Sequence, residues 1–162
     1  MPLYHIKPSD ASGTMRQVDI SHKPFVVREA VAEGYLRLRP ETIERIKRGL
    51  VEKGDPVQLA QLGGIIAAKE TPRILPLCHP IRLESVNVEV TLDEERSFVR
   101  ARATVRAIEQ TGVEMEALMA VAGALLNVWD AVKQYEKDEA GQYPVTELVS
   151  VRVVRKVKGV EE

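Results

Sequence analysis

His79 is the first residue of this chain that suggests chemistry. It stands in Leu75-Pro76-Leu77-Cys78-His79-Pro80, where prolines on both sides of a Cys-His pair fix the backbone. An imidazole held in this way can take and return protons near neutral pH. The same pattern also suits a buried loop with a small apolar Cys and a hydrogen-bonded His. Cys78 offers a thiol, but no basic neighbour in sequence marks an activated thiolate. A second group is Thr111-Gly112-Val113-Glu114-Met115-Glu116-Ala117-Leu118, with two carboxylates at the start of a helix. Acids there also suit ordinary capping and the helix dipole, and Met115 also suits a core. A third is Asp130 and Lys133, spaced i and i+3 on a helix, where they can pair whether in a site or on a solvated face. A fourth is Lys53-Gly54-Asp55 with Lys69 in the next helix. Gly54 leaves the backbone open just before a helix N-terminus, a favourable place for an anion, or it is a plain interhelical turn.

These groups need elements to position them. From Phe25 to Leu38 the chain is Val- and Ala-rich with interleaved charge, which predicts a long strand. Pro40 suits the first turn of a helix carrying Ile43, Ile46 and Leu50. Asp55-Pro56 starts a second helix that runs to about Glu70. Gly63-Gly64 inside it costs helix stability and implies close approach of another backbone. Thr71 to Pro80 holds three prolines and reads as a constrained loop. Val86 to Leu92 and Val99 to Ala107 alternate apolar with polar residues and read as a hairpin around Asp93-Glu94-Glu95-Arg96. Thr111 and Glu114 have capping-box spacing as N-cap and N3 of a long helix ending near Lys137. Glu147 to Val157 is a last strand. The order β-α-α-β-β-α-β is the ferredoxin-like split βαβ pattern with an additional helix: an α+β fold, an antiparallel sheet with helices on one face. Residues 1–22 read as a flexible N-terminal tail, 23–158 as a single domain and 159–162 as a C-terminal tail.

Composition narrows the function. The 162 residues carry a net charge of -1, so no basic field draws the chain to nucleic acid or membrane. Aromatic residues, at 4%, are too few for base-stacking platforms. No apolar run reaches the roughly 20 residues of a membrane span, and Met1 to Asp19 lacks a signal-like apolar stretch. The cytoplasm is the expected setting. One Cys and three scattered His supply no zinc or iron–sulfur ligand set. There is no glycine-rich dinucleotide fingerprint and no P-loop.

Taken together, and in this order, the stretches resemble one family. They are Arg16-Gln17-Val18-Asp19-Ile20-Ser21, Arg28-Glu29-Ala30, Lys53-Gly54-Asp55, Ala67-Ala68-Lys69, Pro76 to Pro80, Thr111 to Leu118, and Asp130 to Lys133. The resemblance runs from about residue 16 to 158 and is to the cyclic pyranopterin monophosphate synthases of molybdenum cofactor biosynthesis. It implies a 3′,8-cyclised dihydro-GTP as substrate and pyrophosphate as leaving group. It implies Lys53, His79, Glu114, Asp130 and Lys133 as catalytic residues. Arg28, Lys69, Cys78, His79, Met115, Glu116 and Lys156 are implied as substrate-binding. It implies a homo-oligomer, a hexamer built from dimers, with sites at a subunit interface. No resident cofactor or metal is expected, although Mg²⁺ can accompany a triphosphate. One departure stands at the C-terminus. Lys156-Val157-Lys158-Gly159-Val160-Glu161-Glu162 lacks the glycine pair common in the family's Lys-[Ser/Thr]-Gly-Gly-Lys tail, and Lys156 is its counterpart. A nucleotide-binding regulatory module on the same fold, or a Cys-dependent hydrolase, are the rival readings.

Overall fold

The computed structural model describes residues 15–159. Its elements are β1 (Val26–Arg37), α1 (Pro40–Lys47), α2 (Pro56–Lys69), α3 (Thr71–Ile74), β2 (Leu83–Asp93), β3 (Phe98–Glu109), α4 (Glu114–Glu136) and β4 (Glu147–Lys158). The strands form one sheet in the order β2-β3-β1-β4, antiparallel at every pairing. This is the expected α+β, ferredoxin-like arrangement: β3 lies between β1 and β2, and β4 closes the other side of β1. The expected tail, residues 1–22, lies largely outside the described residues, as does most of 159–162.

Pleating explains the two faces. Ala30, Ala32 and Leu36 of β1 and Val99, Ala101, Ala103, Val105 and Ala107 of β3 are buried on one side. On the other side their neighbours form charge pairs across the strands. Glu33 meets Arg100 at 2.6 Å and Arg102 at 3.2 Å, and Glu29 meets Arg106 at 3.2 Å. The alanine rows leave room for helices to approach. α4 packs on β1 and β3, and α2 packs on β2 and α4.

The glycines of α2 mark where it meets α4. A Cβ on Gly64 would lie 2.9 Å from the Ala120 carbonyl oxygen, and one on Gly123 would lie 2.4 Å from the Ala67 Cβ. Gly63 in turn lies beneath the Asn127 side chain. Lys53, just before α2, meets Asp130 near the end of α4, while Gly64, further along α2, meets Ala120, so the helices run antiparallel. The close approach expected at Gly63-Gly64 is therefore present. α4 is long and apolar enough to cross a membrane, but here it is the core helix, with residues such as Ala117, Val121, Leu125, Val128 and Val132 buried.

Two local details differ from expectation, and a third could not be read from the sequence. Thr111 is not the N-cap of α4: Val113 precedes the first turn, without a side-chain cap. Glu114 is the first helical residue, and its carboxylate pairs with Lys156 of β4 instead of closing a capping box. The loop 71–80 contains one helical turn, α3, with Pro72 in its first turn. The N-terminus of α1 has no local side-chain cap and is met by a distant residue. The buried Glu136 carboxylate accepts from the Arg39 amide at 3.0 Å, from the Thr42 hydroxyl, and from the Thr146 hydroxyl at 2.8 Å. A fully buried carboxylate is tolerated because all these donors meet it. It ties α1, the end of α4 and the entry to β4 together.

Candidate active site

The chemistry-bearing residues fall into two groups, one at each end of α4. At the C-terminal end the turn before α2 brings Lys53 to α4. Its Nζ donates to the Asp130 carbonyl at 3.1 Å and to Asp130 Oδ2 at 3.2 Å. Lys133 Nζ stands 3.5 Å from Asp130 Oδ1. The Lys53 hydrogen bond and charge, with Lys133 behind them, hold the Asp130 carboxyl below its ordinary range. All three side chains remain well exposed. The local cause is legible. Asp55 caps α2 through the Val57 amide at 2.9 Å, and Gly54 takes a φ of 115° that turns the chain there.

At the N-terminal end of α4, β1, β4 and the 78–79 loop converge on the first helical turn. Glu114 pairs with Lys156. Burial works to raise the Glu114 carboxyl, but the Lys156 hydrogen bond, the backbone and the charges of Lys156 and Arg28 outweigh it, leaving it lowered. Arg28 is only 5% exposed. It donates Nε to the Glu109 carbonyl at 3.3 Å and Nη2 to the Gln110 carbonyl at 3.0 Å, fixing the chain that leads into α4. Glu116 is buried, and its Oε1 takes the Cys78 thiol at 3.8 Å. Its Oε2 has no hydrogen-bond partner among the described residues. Burial above all raises the Glu116 carboxyl, with the nearby Glu114 charge adding to the effect. Burial, then Glu116 and Glu114, push the Cys78 thiol up as well. Such a thiol stays protonated at neutral pH, which is the wrong state for a nucleophile. Met115 faces outward from the same turn, 41% exposed. Lys69 is exposed at the end of α2. Because α2 and α4 run antiparallel, that end lies toward Glu116.

His79 sits at the edge of this second group. Its Nε2 is 2.7 Å from the Val18 carbonyl, and Gln17 donates to the Cys78 carbonyl at 3.2 Å. A cleft of about 450 Å³ opens here between residues 17–21, His79 and residues 109–111. Gln17, Val18 and Asp19 fall in the stretch 1–22 that reads from sequence as a tail. The signal that marks them is the stretch Arg16 to Ser21, which stands among the family-like motifs without periodicity of its own. Among the described residues, no group of three or more His, Cys, Asp or Glu side chains is placed to hold a metal ion.

The two groups do not meet within one chain. α4 is unbroken over 23 residues, so Glu114 and Lys133 lie about 28 Å apart along its axis at about 1.5 Å per residue.

A ferredoxin-like domain bearing exposed lysines beside a carboxylate, and an imidazole on a loop whose neighbouring Cys78 meets a buried acid, has the groups that anion binding and proton transfer require. The chain belongs to the MoaC family, whose model matches residues 17–159. Its relatives agree. A protein of Sulfurisphaera tokodaii named probable cyclic pyranopterin monophosphate synthase is 58% identical over 141 residues, 87% of this chain and 92% of that one. A protein of the same name from Thermococcus kodakarensis is 51% identical, over 91% of this chain and 93% of that one. Another, from Archaeoglobus fulgidus, is 49% identical over the whole of both chains.

Proposed function

We propose that this chain is a cyclic pyranopterin monophosphate synthase that rearranges 3′,8-cyclised dihydro-GTP and releases pyrophosphate. The observation that carries this reading is similarity to proteins named probable synthases of this kind along nearly the whole chain. The chemistry asks for three things. A triphosphate must be neutralised, which Lys69, Arg28 and Lys156 are suited to share. Purine carbon–nitrogen bonds must open and re-close, for which His79 and Glu114 serve as proton-transfer or purine-contacting groups, with Glu116 and Cys78 behind them and Met115 against the ring. An internal hydroxyl then attacks phosphorus and pyrophosphate leaves. Lys53 and Lys133 supply positive charge there, held by Asp130. No resident cofactor is needed, and Mg²⁺ would arrive on the triphosphate itself. A biosynthetic enzyme of this kind fits a cytoplasmic setting.

The substrate is far smaller than the distance between the two groups of residues. Both serve one site only if a second copy supplies one of them. α2 supports this reading. Leu59, Leu62 and Ile66 form a stripe along it that is 38%, 60% and 53% exposed, and Leu126 of α4 is 52% exposed. Helical spacing puts these α2 residues on one side, a contiguous apolar surface of the kind that marks an interface. Two copies packed on it across a two-fold axis would run α2 against α2 in opposite directions. The Lys53–Asp130–Lys133 end of one copy then faces the Lys69–Glu116 end of the other, and each dimer holds two sites. Dimers assembling further would give the family-like hexamer. The test is turnover. Purified chain given the cyclised substrate should release pyrophosphate and form the fluorescent pterin. Lys53→Ala should lower the rate by about 10²-fold or more, the scale of lost acid–base or charge stabilisation. Binding without product would instead mark a nucleotide-binding regulator.

A further inference from the structure

We propose that the main-chain carbonyl of Val18 holds His79 as the Nε2–H tautomer, leaving Nδ1 as the atom through which this imidazole takes and returns a proton. The catalytic use of Nδ1 rests on the synthase reading above; the tautomer rests on geometry alone. His79 Nε2 lies 2.7 Å from the Val18 oxygen. A carbonyl oxygen only accepts, so Nε2 carries a hydrogen whether the ring is neutral or cationic. Proton exchange with a substrate is then left to Nδ1. The partner of one ring nitrogen thus sets the role of the other, as second-layer hydrogen bonds do for functional histidines.

The carbonyl is anchored on both sides. Before it, Gln17 Nε2 donates to the Cys78 carbonyl at 3.2 Å, tying the strap to the residue beside His79. After it, Asp19 Oδ1 accepts from the Ser21 amide at 2.8 Å, an Asx turn. The Lys23 amide bonds the Ile20 carbonyl at 2.9 Å, and Gln110 Nε2 donates to the Lys23 carbonyl at 2.9 Å. The side chain of Val18 is 69% exposed and adds little packing. What the strap contributes at this position is its backbone oxygen. Asp19, whose charge lies near His79, favours the same placement. Val18 is therefore a positioning residue, and residues 17–21 form a wall of the site.

Nitrogen-15 spectra of the full-length labelled protein test this, with the His79 signals assigned by their loss in His79→Asn. Where the ring is neutral, His79 should show a protonated-type shift at Nε2, an unprotonated-type shift at Nδ1, and a slowly exchanging Nε2–H. In Gln17→Ala/Asp19→Ala, which frees the strap, Nε2–H exchange should quicken by roughly 10-fold, the scale of one net hydrogen bond. The second tautomer should appear, and kcat should fall more than KM rises. Asp19→Asn keeps the Asx turn and should retain the wild-type pattern. A proton on Nδ1 in the wild type overturns the proposal. So does an unchanged Nε2–H in the double variant, or its loss in Asp19→Asn, which would make the carboxylate rather than the carbonyl responsible. The expected spectra without turnover would instead sink the synthase reading and leave the tautomer standing.

Discussion

Glu116 sets the balance at the residue scale. It is buried in the first turn of α4, one oxygen on the Cys78 thiol and the other without a partner among the described residues. A carboxylate so placed is disfavoured when charged, so burial raises it above its ordinary 4.5. The folded state therefore holds this proton more tightly than the unfolded chain does. Stability is unaffected below pH 4.5, falls as pH rises from there to the raised folded value, and stays lowered above it. Glu116→Gln keeps the shape and removes the charge. Thermal melting across pH should show the variant gaining on the wild type at neutral pH, with the gain vanishing in acid. For a chain of this size each 1 kcal/mol moves Tm by roughly 2–4 °C. A constant difference at every pH would mean that Glu116 does not titrate in this way. If Glu116 is retained for function despite this cost, the same variant should be more stable yet slower.

The α2–α4 seam governs the element scale. Helical glycine is unfavourable in isolation, so Gly64→Ala would gain about 1 kcal/mol of helix propensity. The seam reverses the sign. The new Cβ would sit 2.9 Å from the Ala120 carbonyl, a backbone atom with no freedom to rotate away. Overpacking of this kind costs about 1–3 kcal/mol and pushes the helices apart. Gly64→Ala should therefore melt lower than the wild type in calorimetry. It should also lose activity, because α2 leads out of the turn that carries Lys53. Gly49, by contrast, would present its Cβ to open space, although its φ of 68° still favours glycine. A Gly64→Ala protein as stable as the wild type would show that the seam has slack.

At the scale of the whole molecule, the proposed site needs two copies, because the length of α4 keeps Glu114 and Lys133 of one chain apart. Refolding Glu114→Ala with Lys133→Ala in equal amounts should make about half the dimers mixed. In a mixed dimer one site carries both lesions and the other neither. Activity should then return to about one quarter of wild type. A refolded mixture that stays as inactive as its two components, after proven subunit exchange, would place Glu114 and Lys133 in separate sites.

What the sequence by itself determined was local and periodic. Alternation along Val86 to Leu92 and Val99 to Ala107 specified the hairpin, because side chains on a strand change face at every residue. Pro40 and Asp55-Pro56 specified where helices begin, because a fixed φ and a capping oxygen act within one turn. Gly63-Gly64 announced a close neighbour without naming it, and the motif order carried the family. Only the tertiary structure decided which neighbour, where α4 starts and which side chains gather at each of its ends. Lys156 draws Glu114 away from a capping box with Thr111. Glu136 caps a helix 97 residues away in sequence. Val18 reaches His79 across 61 residues. None of these pairings leaves a period in the sequence, since a carboxylate or carbonyl finds its donor in space, after the sheet has brought distant segments together.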